Sequence, residues 1–218
     1  MFEKLLHPIL SIYSFSVVSY LSQAQYTLVW ADEFNTTGSV SPNAADWNME
    51  NWFAGYSGGE NQAYTSRLQN ACVENGNLII EAKREAYTTP GTIKTATGTS
   101  ARVQTRKKHE LLYGRVEVRG KLPAGAGLAC NMDACLRRYL WRLPVSGEIE
   151  IMEHTYRDQT QGTVHGTLHT ASYNWMDNTH ITATYPVADF STAYHVYGLE
   201  WTPTTIMYRL TVTFTLLV

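Results

Sequence analysis

Beyond the first two dozen residues, apolar positions recur with a period of two, and the 3.6-residue period of a helix is nearly absent. Short runs rich in Val, Ile, Tyr and Thr lie at 26–30, 72–73, 78–82, 113–119, 148–152, 163–169 and 194–201. Turn-forming clusters at 55–59, 75–77, 88–98 and 123–127 separate them. Each run reads as a short strand. In Tyr113–Arg119 the alternation is explicit: Val116 and Val118 face one way, while Arg115, Glu117 and Arg119 face the other. Asn75-Gly76-Asn77 between two β-rich runs predicts a hairpin, because a type I′ turn needs positive φ at both central residues. Many short strands at this spacing make a sandwich or a barrel. No repeat, linker or second domain interrupts them.

The first 24 residues follow a different pattern. Lys4 gives a positive start, 5–21 is mostly apolar, and Ser22-Gln23-Ala24 offers a small-x-small cleavage site, so an export signal is expected. His7, Pro8 and several Ser interrupt the apolar run, which argues against a membrane span. A buried N-terminal segment is the alternative. In an exported chain Asn35-Thr36-Thr37 is a usable glycosylation sequon.

The 218 residues carry a formal charge of −2 with 17% charged positions, so there is no basic stripe for a nucleic acid. The 14 Tyr and 6 Trp suit stacking on neutral sugar rings and equally suit a β-rich core. Cys72, Cys130 and Cys135 are an odd set for an exported protein; a Cys130–Cys135 disulfide with Cys72 free is one arrangement. No Cys/His spacing resembles a zinc site.

The most informative stretch is Ser146-Gly147-Glu148-Ile149-Glu150-Ile151-Met152-Glu153-His154. Side chains alternate along a strand, so Glu148 and Glu150 share a face while Ile149 and Ile151 point to the core. Glu153 lies an odd five residues beyond Glu148, which in a regular strand would bury it as an unpaired ion. One extra residue near Met152, a β-bulge, returns it to the Glu148 face. Three carboxylates then converge, and like charges so placed raise at least one pKa. Retaining glycoside hydrolysis needs such a set. One ionised carboxylate attacks the anomeric carbon, and a protonated one about 5–5.5 Å away protonates the leaving oxygen. The same spacing also fits a solvent-facing strand with ordinary surface glutamates.

This stretch resembles the catalytic motif of glycoside hydrolase family 16 in its laminarinase-like (endo-β-1,3-glucanase) branch, Glu-x-Asp-x-x-Glu. Other stretches agree in order: Val29-Trp30-Ala31-Asp32-Glu33-Phe34, Glu60-Asn61-Gln62-Ala63-Tyr64-Thr65, Val73-Glu74-Asn75-Gly76-Asn77-Leu78 and Tyr113-Gly114-Arg115-Val116-Glu117-Val118 with Lys121-Leu122-Pro123. Gly166-Thr167-Leu168-His169 and Leu199-Glu200-Trp201-Thr202-Pro203 complete the set, so the likeness spans 26–206 with one gap. It implies an all-β sandwich with jelly-roll (concanavalin A-like) topology. It also implies Glu148 as nucleophile and Glu153 as general acid/base. Glu150 stands where the family has an assisting Asp, and its added methylene moves the carboxyl by about one C–C bond against a catalytic tolerance of about 0.5 Å. Asn61, Arg102 and His169 fall at cleft-lining, substrate-contact positions, where a purely structural role is equally compatible. Many members hold a structural calcium through backbone oxygens at positions matching Glu33 and Gly76 plus a C-terminal Asp; no Asp follows Trp201 here. No redox cofactor is implied.

The gap lies between Lys121-Leu122-Pro123 and Ser146-Gly147-Glu148. There the family shows a cleft-lining strand resembling Trp-Pro-Ala-Ile-Trp-Met-Leu. This chain instead has 128–143, which alternates poorly and includes Asn131, Asp133, Arg137, Arg138 and Arg142. Codons for Leu128 to Trp141, read from each second base, permit the family strand. Codons read from the third base of Met207 permit the family's strand after Trp-Thr-Pro. Two reading-frame errors or mis-set exon boundaries, over 128–143 and 207–218, are therefore expected, with real divergence as the alternative. The chain as written is then expected to lack one core strand and its final strands, and Cys130 and Cys135 would be absent from the true product.

The expectation is an export signal over 1–24 and one domain over 25–218, its jelly-roll sandwich incomplete. The resemblance implies a secreted, monomeric, retaining endo-glycosidase acting on β-1,3-glucan or mixed β-1,3/1,4-glucan. A non-catalytic β-glucan recognition protein on the same scaffold is the main rival, and retention of Glu148 and Glu153 favours the enzyme. A xyloglucan transglycosylase ranks third, since its motif lacks the residue that Met152 adds here.

Overall fold

Where the two-residue apolar period runs, strands form. A computed structural model describes residues 26–56, 59–135, 145–210 and 214–217; the expected export signal and the arginines at 137, 138 and 142 lie outside the described residues. Strands β1 (Ala71–Glu74) and β2 (Asn77–Ile80) make the expected hairpin, with φ of 51° at Asn75 and 74° at Gly76, the positive pair that a type I′ turn requires. The run at 26–30 is not a strand: Leu28 and Val29 are exposed, and none of the described strands pairs with them.

Two four-stranded antiparallel sheets enclose the core, and one of them carries the site. One contains β4 (Ala129–Cys135), β5 (Glu148–Thr155), β6 (Thr163–His169) and β7 (Ile181–Pro186), hydrogen-bonded in that order. The other contains β10 (Phe214–Leu217), β9 (Ile206–Leu210), β8 (His195–Trp201) and β3 (Gly114–Gly120), again in that order. Inward residues of the first sheet, Ile149, Ile151, Met152 and Val164, meet Tyr197, Leu199 and Tyr208 of the second in one apolar core. Ile149 is fully buried, which contributes about 1.5–3 kcal/mol. The sheets approach closely at Gly166, where an added Cβ would lie 2.7 Å from the Tyr208 ring. Only glycine leaves room there.

The expectation of a missing core strand and missing final strands is corrected. Residues 129–135 form β4, and 206–210 and 214–217 form β9 and β10. The segment does alternate once its partner is known. Cys130, Met132 and Ala134 pack on the core, while Asn131 and Asp133 face the other way across from Glu153 and Glu150. Its polar residues line a groove and are not forced into the interior. Cys130 is a free thiol packed against the core, so no Cys130–Cys135 disulfide forms, and Cys72 is free as expected. Among the described residues no helix is long and apolar enough to cross a membrane.

Candidate active site

The acidic strand is bulged where its odd spacing requires. Across to β6, Glu148 pairs with His169, Glu150 with Thr167 and Glu153 with His165, with a register shift between Glu150 and Glu153. The partners are every second residue of β6, so all three glutamates share one face. The β4 side agrees: Met152 pairs with Met132 but Glu150 with Asp133, leaving one extra residue on β5. Met152 and Ile151 turn into the core, and Glu153 does not.

Burial and mutual repulsion set the electrostatics. Glu150 is buried; burial first, then the charges of Glu153, Asp133 and Glu148, push its carboxyl up to about 8 against a Thr167 hydrogen bond. Its Oε1 lies 3.4 Å from His169 Nε2, and its Oε2 takes no hydrogen bond among the described residues. Burial also raises Glu153, with Asp158 adding to it and the His165 and His180 charges opposing. That shift favours the protonated form, the form a general acid uses. His169 is held below the ordinary histidine value by burial and by His180, whose ring lies 5.6 Å away. Both causes favour its neutral form.

Of the residues expected from the sequence, Glu148, Glu150, Glu153 and His169 come together on adjacent strands. Arg102 reaches the same groove: its guanidinium lies 5.2 Å from the Trp52 ring centre, and its charge opposes the rise at Asp133. Asn61 is exposed ahead of the short strand Gln62–Tyr64, and no hydrogen bond among the described residues ties it to the acids.

Four residues escaped the sequence reading. Asp133 is a fourth carboxyl in the groove, raised to about 7 by burial and Glu148, with Arg102 opposing and Glu153 adding, and its Oδ1 has no hydrogen-bond partner among the described residues. His165 faces Glu153 and is clamped by Asp158 Oδ1 and Thr184 Oγ1, each at 2.9 Å. Asp158 also accepts from the Thr155 backbone N–H at 2.7 Å and hydroxyl at 2.6 Å, which pins the end of β5. His180 completes the group beside His169. Strand parity alone could have found His165, because 165, 167 and 169 share a face of the run at 163–169.

The calcium implied by resemblance would take backbone carbonyls at Glu33 and Gly76, and residues 202–218 as given hold no Asp to add the carboxylate that such a hard cation prefers.

Residues 58–212 match the family model described as Glycosyl hydrolases family 16. The chain belongs to that family. It is similar to the β-glucanase of Rhodothermus marinus, 39% identical over 184 residues that cover 82% of this chain and 60% of that protein. Among solved structures, the laminarinase from Rhodothermus marinus superposes with a TM-score of 0.78 at 36% identity, covering 88% of this chain and 74% of that one. A variant of SCLam, described as a non-specific endo-β-1,3(4)-glucanase and co-crystallized with 1,3-β-D-cellotriosyl-glucose, matches with a TM-score of 0.80 at 33% identity, covering 87% and 73%. With these neighbours the fold is the expected jelly-roll β-sandwich. The chain spans about 60% of the length of the curated Rhodothermus relative.

Proposed function

We propose that this chain is a retaining endo-glycosidase that hydrolyses β-1,3-linked glucan and accepts mixed β-1,3/1,4-glucan. One observation carries the reading: the bulge that puts Glu148, Glu150 and Glu153 on one face of β5. The Glu148 carboxylate attacks the anomeric carbon while Glu153 gives its proton to the departing glycosidic oxygen, so one C–O bond forms to the protein as another breaks. Water then attacks the glycosyl ester, Glu153 takes its proton, and Glu148 is released. Glu150, one pleat from Glu148 and 3.4 Å from His169, positions the nucleophile. Arg102 contacts the sugar hydroxyls, joined in the chain as written by Asp133. The β-glucanase and laminarinase names of the Rhodothermus relatives support this substrate class.

The test is reducing-sugar release from laminarin, compared with Glu148→Gln, together with the anomeric configuration of the first product by NMR. Release that the variant abolishes, with retained configuration, is expected. Full activity in Glu148→Gln overturns the nucleophile assignment. Binding of laminarin without cleavage by the intact chain would favour the recognition-protein reading instead. We further propose that the protein is exported through residues 1–24 and acts outside the cell as a monomer. We also propose that 128–143 and 207–218 are out of frame in the sequence as written; sequencing the transcript across both junctions tests this, and an in-frame message encoding the given residues refutes it.

A further inference from the structure

Glu148, Glu150 and His169 each bring a ligand-capable atom to within 4.8 Å of the others. Tetrahedral ligands around a zinc ion sit about 3.4 Å apart, so side-chain torsions alone can close the three onto one ion. Oε2 of Glu150 takes no hydrogen bond among the described residues, in a residue only 7% exposed. Glu150 is long enough to set its Oε1 3.4 Å from His169 Nε2; an aspartate on the same backbone would stop one bond short. Two carboxylates and an imidazole suit zinc and its first-row neighbours, whereas magnesium and calcium take oxygen ligands.

We propose that Glu148, Glu150 and His169 form a transition-metal site of the zinc type at the floor of the groove, filled only when the sugar is absent. The ion engages Glu148, so metal and glucan exclude one another. This exclusion rests on the reading of Glu148 as nucleophile, while the binding itself rests on the geometry of the trio.

Calorimetric titration of the full chain with zinc chloride, and separately with magnesium chloride, tests it. One zinc per chain is expected and no magnesium. Glu150→Asp and His169→Gln should each weaken zinc by about tenfold or more, whereas Glu200→Gln, on the other sheet and paired with Arg209 and Arg115, should keep the zinc isotherm. A laminari-oligosaccharide should lower the apparent zinc affinity, as mutual exclusion requires. Circular dichroism of each variant checks folding, and Glu150→Asp, which keeps the charge, serves if His169→Gln fails to fold. Absence of zinc binding at millimolar zinc overturns the proposal, as does unchanged affinity in Glu150→Asp. Zinc and oligosaccharide bound together without mutual weakening overturns the exclusion. A chain that cleaves laminarin but binds no zinc defeats this inference alone; one that binds zinc but cleaves nothing defeats the hydrolase reading alone.

Discussion

Glu150 on β5 and Glu200 on β8 are the same residue type, on interior strands of their sheets, 7% and 9% exposed. Their surroundings are opposite. Glu200 Oε1 lies 2.8 Å from Arg209 Nε and 3.7 Å from Arg115 Nη1, so two guanidinium groups compensate its desolvation. Glu150 faces Glu153, Asp133 and Glu148, and its carboxyl rises to about 8. One outer face of the sandwich neutralises a buried charge; the other concentrates charge of one sign. The first arrangement serves stability. The second costs stability and yields carboxyls of unequal proton affinity, which two-carboxylate chemistry requires. The core between the sheets, with Ile149 and Leu199 almost fully buried, holds both arrangements in place.

Several measurements would break or sharpen this contrast. The largest effect belongs to the concentrated face: Glu153→Gln should lower kcat on laminarin by about 10²- to 10⁴-fold, without lowering the melting temperature. A loss of less than about tenfold would remove Glu153 from the chemistry. Next is the shared interior. Gly166→Ala pushes a methyl into the Tyr208 ring and should destabilise both faces by about 1–3 kcal/mol, read from denaturant unfolding.

Smaller, and confined to the acidic face, is a pH effect. Asp133 and Glu150 bind protons more tightly folded than unfolded, so their contribution to stability is full below about pH 4 and is lost as pH rises through about 7 and about 8. The melting temperature should fall between pH 5 and pH 8.5, and Asp133→Asn should flatten that fall, adding about 3 °C at the alkaline end. A melting temperature that climbs over this interval would contradict the charge crowding. The smallest change lies on the paired face. Glu200→Gln should cost at most about 1 kcal/mol, because Arg115 and Arg209 are partly exposed, and should leave laminarin hydrolysis as it was.

Much of the site was legible before any coordinates. The parity of Glu148 and Glu150, and the odd interval to Glu153, demanded a bulge, because the pleat repeats every two residues whatever lies alongside. The Asn75-Gly76 turn was equally local, needing only residues that tolerate positive φ. Other features depend on which strand lies beside which. Asp133 read as a polar intruder in a core strand until its pairing with Glu150 turned it toward the groove. Val29 looked like strand and ended exposed, because apolar alternation supplies no partner.

The sequence by itself thus determined the strand periods, the hairpin and the need for a bulge, since these follow from backbone geometry and side-chain type within a few residues. Only the tertiary structure decided that Asp133, His165 and His180 join the acids, that Cys130 stays a free thiol, and that Glu200 finds two arginines while Glu150 finds none among the described residues. Cross-strand register and the stacking of two sheets bring together residues far apart in the chain. Burial and Coulomb energy act on that proximity, whatever the separation in sequence.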